Sequence, residues 1–178
     1  MHPAEVERVL ESMVILVDSR EQDTPRLRAR IKQIGLPVER IALTAGDYSA
    51  KVQLPDGTWY QIPTAVERKL DASELATCFC QERGRFEREF QRAEDAKIRL
   101  YLLVEDTSWQ SIYAGKYRSK MRPKALVASI LTWLTRYRCE LILCDPNVTG
   151  WLIHDILWYE AREILLNLGE EDGRIQSL

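Results

Sequence analysis

A chain of 178 residues, 46% hydrophobic and 29% charged, is long enough to bury one sizeable core, and its composition excludes a disordered, collagenous or low-complexity protein. Its formal net charge of −2 excludes a polyanion binder that works through its overall field, so any nucleic acid must be held by a local basic patch or through a bound metal. The longest apolar stretch near the N-terminus, Met13–Val17, is too short to cross a bilayer and lacks signal-peptide flanks, which makes a soluble, intracellular protein the expectation, cytoplasmic if its source is prokaryotic or viral.

After a short helical lead-in, Met13–Asp18 is apolar and rich in β-branched residues and ends in Ser19-Arg20-Glu21, the pattern of a core strand delivering charge at its C-terminal end. Thr24 then caps a helix that has Pro25 at its first position and runs to Gly35. Val38–Leu43 and Tyr48–Leu54 read as strands, Pro55-Asp56-Gly57 reverses the chain, and Trp59–Lys69 returns antiparallel as one strand of a meander. Ser73 reads as the cap of a helical turn or two over Ser73–Phe79. A longer helix spans Gly84–Asp95, with Phe86, Phe90 and Ala93 on one side. Arg99–Glu105 is a continuous apolar run and reads as a central strand. A basic link, Gly115–Lys124, leads into a helix reaching about Tyr137, then a strand Glu140–Cys144 and a last helix from about Asn147 to Leu168, stopped by Gly169. Strands flanked by helices imply an α/β fold, a three-layer α/β/α domain around a mixed sheet.

Cys78 and Cys80 are two apart in a helical region, and Cys139 and Cys144 bracket a strand at an odd separation. Neither spacing suits a zinc site, and reduced, mostly buried thiols are expected. His154, with only His2 besides it, reads as a surface or helix-packing histidine.

Two polar islands on strand segments carry chemistry: Gly46-Asp47-Tyr48 and Glu67-Arg68-Lys69. Alternation along a strand sends Glu67 and Lys69 to one face, about 7 Å apart along the backbone, and Arg68 to the other. If the strands ending at Asp18, starting at Asp47 and ending at Lys69 are neighbours, these side chains converge on one edge of the sheet. Gathered carboxylates beside an ammonium suit a hard divalent cation, and the substrate matching such a site is a phosphodiester. The competing reading is that each acid is a solvated strand end or turn residue.

Leu16-Val17-Asp18-Ser19-Arg20-Glu21, Leu43 through Gly46-Asp47-Tyr48, and Val66-Glu67-Arg68-Lys69 together resemble the signature of the XPF-like family of structure-specific DNA endonucleases, within the restriction-endonuclease-like superfamily. The likeness continues through Gly84-Arg85-Phe86, Leu102-Leu103-Val104-Glu105, the Leu131–Tyr137 helix and the Leu141–Pro146 strand and turn. The resemblance implies a restriction-endonuclease-like fold, a single nuclease domain over residues 1–178, and a Mg²⁺- or Mn²⁺-dependent endonuclease acting on branched, forked or flapped DNA in repair or recombination. It makes Asp47 and Glu67 metal ligands, joined by Asp18, and Lys69 the catalytic lysine, with Arg20 and Arg68 completing the site as phosphate clamps or ion-pair partners. Relatives place an aspartate four residues beyond the lysine, where this chain has Ser73, with Asp71 and Glu74 nearby; either a shifted acid such as Asp71 substitutes or one metal binds more weakly. Without a substitute, the alternative is a catalytically weak or inactive DNA-binding pseudonuclease that partners another protein. Many relatives carry a tandem helix-hairpin-helix module, for which this chain leaves no room, so targeting is expected from the domain itself or from a separate protein.

Lys116, Arg118, Lys120, Arg122 and Lys124 alternate with other residues, with no acid among them and with Tyr113 and Tyr117 nearby, as either a phosphate-gripping loop or a solvated linker. Arg83, Arg85, Arg88 and Arg92 interleave with Glu82, Glu87, Glu89 and Glu94, mainly as intrahelical pairs, with Arg85 a further DNA contact. The helix Ala125–Leu134 is apolar nearly all round, and with Trp151, Leu152, Ile156 and Trp158 it offers a homodimer interface through the C-terminal helices. Otherwise both helices pack on the sheet and on each other.

Overall fold

The computed structural model describes the backbone of residues 1–175 and the side chains of residues 1–168. In chain order the elements are α1 (Pro3–Leu10), β1 (Val14–Asp18), α2 (Pro25–Ile34), β2 (Val38–Ile41), β3 (Tyr48–Gln53), β4 (Trp59–Gln61), β5 (Thr64–Lys69), α3 (Ala72–Cys80) and α4 (Arg83–Asp95). There follow β6 (Arg99–Glu105), α5 (Trp109–Tyr113), α6 (Pro123–Tyr137), β7 (Glu140–Cys144) and α7 (Thr149–Ile175). Local rules account for the boundaries of α2: Thr24 Oγ1 accepts the Leu27 N–H at 3.1 Å, Pro25 opens the helix, and Gly35 closes it in the left-handed region.

The strands form one mixed sheet in the order β2-β1-β3-β5-β6-β7, with β4 paired to β3 beside β5. β1 runs parallel to β2 and antiparallel to β3, β3 is antiparallel to β5, and β5, β6 and β7 are parallel. One face is covered by α3, α4 and α6, where Phe79, Phe86, Phe90 and Tyr137 surround the buried Trp133 at centroid separations between 4.9 and 5.7 Å. The other face is covered by α1, α2 and α7. Helix α7 crosses α2 so closely that a Cβ at Gly150 would lie 2.4 Å from the Gln33 Cβ. Among the described residues no helix is long and apolar enough to cross a membrane.

Four expectations change. The return strand is not continuous: pairing is Lys51↔Gln61 in the hairpin but Tyr48↔Val66 beyond it, so two extra residues bulge out around Ile62-Pro63. Pro63 has no N–H to offer a ladder, and the Ser49 hydroxyl donates instead to the Thr64 carbonyl at 2.8 Å. The cap of α3 is Asp71, whose Oδ1 accepts the Glu74 N–H at 2.8 Å, not Ser73. Helix α7 runs on through Gly169, because one glycine weakens a helix without ending it. Finally, α6 and α7 do not pack on each other; they lie on opposite faces of the sheet.

Candidate active site and nucleic-acid interface

The order β1-β3-β5 brings the C-terminal end of β1, the start of β3 and the end of β5 side by side. The Asp18 N–H donates to the Asp47 carbonyl at 2.9 Å and the Asp47 N–H to the Val66 carbonyl at 2.8 Å. Tyr48 stands opposite Val66, so Asp47 falls opposite Glu67, and Asp18, Asp47, Glu67 and Lys69 share the sheet face that carries α3 and α4. Gly46 makes the approach possible: its φ is +74°, and a Cβ there would lie 2.9 Å from the Ala65 Cβ. Helix α4 steadies the entering loop, with Glu89 accepting the Gly46 N–H at 3.4 Å and Arg92 donating to the Thr44 carbonyl at 3.2 Å.

Burial perturbs both Asp47 and Glu67. Burial, then the neighbouring Glu67 charge, holds the Asp47 carboxyl well above the usual carboxylate range, although Asp47 also accepts the Arg68 N–H at 2.8 Å. Burial also raises Glu67, against the pull of Lys69. The Lys69 Nζ donates to Glu67 Oε1 at 2.6 Å and sits 5.1 Å from the Phe86 ring centroid. Burial opposes the charge on Lys69, but Glu67 outweighs it and the ammonium titrates above its ordinary value. Glu67 and Lys69 line a cleft of about 280 Å³ whose wall also carries Glu74, Glu82, Arg85 and Glu89, with Asp47 at the start of the neighbouring strand beside Glu67. Cys78 lines it too, its thiol pushed by burial up to about 11.

Asp18 stands in the same row but is fully engaged. Its Oδ1 accepts the Arg20 N–H at 2.7 Å and Arg20 Nε at 2.8 Å, while Oδ2 accepts Arg20 Nη2 at 2.7 Å and the Leu43 N–H at 3.0 Å. One strand, β3, lies between it and Glu67, which puts them two strand spacings apart, roughly 10 Å. Among the described residues no three acidic, histidine or cysteine side chains close into a group fit to hold an ion.

Arg68 occupies the far face. Its Nη1 donates to Glu105 Oε2 at 2.8 Å, Arg30 Nη2 lies 3.8 Å from Glu105 Oε1, and Arg30 Nη1 donates to the Tyr48 hydroxyl at 2.5 Å. Arg30 and Glu105 are buried. This ion chain ties Tyr48 and Arg68, each next in sequence to a carboxylate of the opposite face. It forms one wall of a second cleft, of about 400 Å³, which Asp71 also lines. Asp71 thus lines the other cleft and caps α3. The Ser73 hydroxyl accepts the Arg118 N–H at 3.0 Å and anchors the basic loop.

In that loop Lys116, Arg118, Lys120, Arg122 and Lys124 are all exposed, while Tyr117, Ser119, Met121 and Pro123 between them are half-buried. Among the described residues none of the five cations forms an ion pair. Arg85 is exposed and 3.6 Å from Glu82. His154 is half-buried, 3.2 Å from Asp155 and packed near Trp158. Sequence reasoning missed the Arg30–Glu105–Tyr48 chain and the role of Glu89 in holding the Asp47 loop. A glutamate closing an otherwise apolar strand was the available signal for Glu105.

A family model described as the ERCC4 domain matches residues 17–152. Among solved structures, XPF from Aeropyrum pernix is similar over 92% of this chain and 73% of its own, at 22% identity and a TM-score of 0.61. XPF from Aeropyrum pernix in complex with DNA is similar over 84% of this chain and 66% of that chain, at 22% identity and the same TM-score. This likeness shows the fold, a restriction-endonuclease-like α/β architecture. No curated protein matches the chain.

Proposed function

The chain belongs to the ERCC4 domain family, and we propose that it is a Mg²⁺- or Mn²⁺-dependent endonuclease hydrolysing phosphodiester bonds of branched, forked or flapped DNA. The observation that carries this reading is the adjacency of Asp47, Glu67 and Lys69 on one sheet face, with Glu67 and Lys69 lining a cleft. Two carboxylates both raised by burial, with Asp47 raised further by its neighbour's charge, form an oxygen-donor pair that a hard cation relieves, and Asp47 and Glu67 would hold it. When bound, such an ion polarises a phosphodiester and acidifies water.

The chain's own residues divide the remaining work. Lys69 stays protonated, so it serves by steering the attacking water and stabilising negative charge on the phosphate rather than as a base. Asp18 spends its acceptors on Arg20, and we assign it to fixing that exposed guanidinium at the site's edge as a phosphate contact. Arg68 lies on the opposite face and acts through its backbone N–H, which holds the Asp47 carboxylate. Lys116, Arg118, Lys120, Arg122 and Lys124, with Arg85 on the cleft rim, would bind phosphates of the duplex.

The test is cleavage of a forked duplex by the wild-type chain and by Asp47→Ala, Glu67→Ala and Lys69→Ala. The wild type is expected to cut with Mg²⁺ or Mn²⁺ and not with a chelator, and each variant to lose on the order of 10²-fold or more. Undiminished cutting by any of the three variants overturns the assignment. Ser73 in the place of an acid, with Asp71 committed to a cap, favours a second reading, a DNA-binding subunit without cleavage. Fork binding with no cutting under any divalent ion, and no divalent site by calorimetry, would establish it.

We also infer a homodimer. β7 has β6 as its one neighbour in the sheet, and its residues Leu141 to Cys144 are only half-buried. The helices on either side present Leu131 and Trp151, 48% and 55% exposed. Sedimentation equilibrium is expected to give twice the chain mass, and Leu131→Glu with Trp151→Glu to give the monomer. A monomeric wild type at tens of micromolar would exclude the pairing.

A further inference from the structure

We propose that Trp109 and Tyr113, with the cationic loop that follows them, form a stacking platform for an unpaired DNA strand. Helix α5 puts the two rings one turn apart on the same side, with centroids 6.3 Å apart and planes inclined by 43°. Ile112 is fully buried beneath and Ser108 caps the helix, its Oγ accepting the Ser111 N–H at 3.1 Å, so the helix is fixed from below and the rings face out. Trp109 is 36% and Tyr113 63% exposed, and neither belongs to either core.

The chain then passes directly into the unpaired cations. That loop is tied down: Tyr117 donates its hydroxyl to the Met121 carbonyl at 2.8 Å, and the Arg118 N–H is held by Ser73, four residues beyond Lys69. A fixed pair of rings beside fixed positive charge suits a ligand that offers flat apolar faces and phosphates together. Duplex DNA buries its base faces in its own stack; a single strand presents them. Anchoring at Ser73 holds Arg118, in the loop that continues from the platform, against α3, which follows the strand bearing Glu67 and Lys69. This inference rests on DNA being the substrate and names its single-stranded arm.

The test uses the full chain in chelator, where no cutting is expected, and reads fluorescence anisotropy of a labelled 20-residue oligothymidine and of a labelled 20-base-pair duplex. Trp109→Ala with Tyr113→Ala is expected to weaken oligothymidine binding at least about 10-fold, as the loss of one stacked base does, while duplex binding changes less than about 2-fold. Trp109→Phe with Tyr113→Phe keeps the rings and is expected to bind as the wild type does. Oligothymidine should also quench tryptophan fluorescence in the wild type more than in Trp109→Phe. Equal oligothymidine affinity for the wild type and the double-alanine variant overturns the platform, as does a wild type that fails to bind oligothymidine at low salt. Fork cutting by the wild type is scored separately: it continues if only the platform is wrong, and it is absent, with strand binding intact, if only the nuclease reading is wrong.

Discussion

Asp47→Asn is expected to lower cleavage by about 10²- to 10³-fold and, in the same protein without metal, to raise the melting temperature at neutral pH. The two effects have one cause. Burial and the Glu67 charge raise the Asp47 pKa in the folded chain, so the folded state binds a proton more readily than the unfolded state does. Stability therefore falls as pH rises from the ordinary carboxylate value, about 3.9, toward the raised value, so the cost grows from acid toward neutral pH. Asparagine is neutral and keeps an oxygen for the Arg68 N–H, which Asp47 accepts at 2.8 Å, so the fold is relieved while the donor set for a cation is halved. Calorimetry in chelator from pH 7 down to pH 4 reads this directly, with the gap between variant and wild type narrowing toward acid. A variant that melts lower than the wild type at pH 7 would refute the electrostatic argument whatever its activity.

Glu105→Ala is expected to be among the most destabilising single changes in the chain, at about 3–5 kcal/mol. Glu105 is the anion shared by Arg30 and Arg68, with Arg68 at 2.8 Å and Arg30 at 3.8 Å. Arg30 and Glu105 side chains are only 5% and 4% exposed. Removing the carboxylate leaves the buried Arg30 guanidinium and the partly buried Arg68 guanidinium without their shared anion at the wall of the second cleft, and neither can discharge by losing a proton. Urea denaturation at pH 7 measures the loss, and a value below about 1 kcal/mol would mean that the chain relaxes to reach solvent. Cleavage should fall as well, because Arg68 carries the N–H that orients Asp47.

The side-chain period of two and the order of the polar islands made Asp47, Glu67 and Lys69 legible, along with the opposite direction of Arg68. Which strands are neighbours was left open by the sequence and is set by the order β1-β3-β5, while β7 falls on its expected residues, Glu140–Cys144. In sequence, a carboxylate at a strand end such as Asp18 looks the same whether it is free or engaged. Only coordinates show its four acceptor positions filled from Arg20 and Leu43. The partner of Arg68 was hidden for a related reason: Arg30 sits on α2 and Glu105 on β6, and no local pattern announces a contact between segments so far apart. Helix α5 is five residues long, too short for its periodicity to register.

The bulge at Ile62-Pro63 inserts an even number of residues, and that parity is what keeps the chemistry in place. A two-residue slip advances the strand by one full pleat and returns every side chain to its original side. Loss or gain of one residue between Gln61 and Ala65 would turn β5 over, taking Glu67 and Lys69 into the layer of α2 and α7 and presenting Arg68 beside Asp47. The linker between the hairpin and β5 therefore tolerates changes of residue far better than changes of frame.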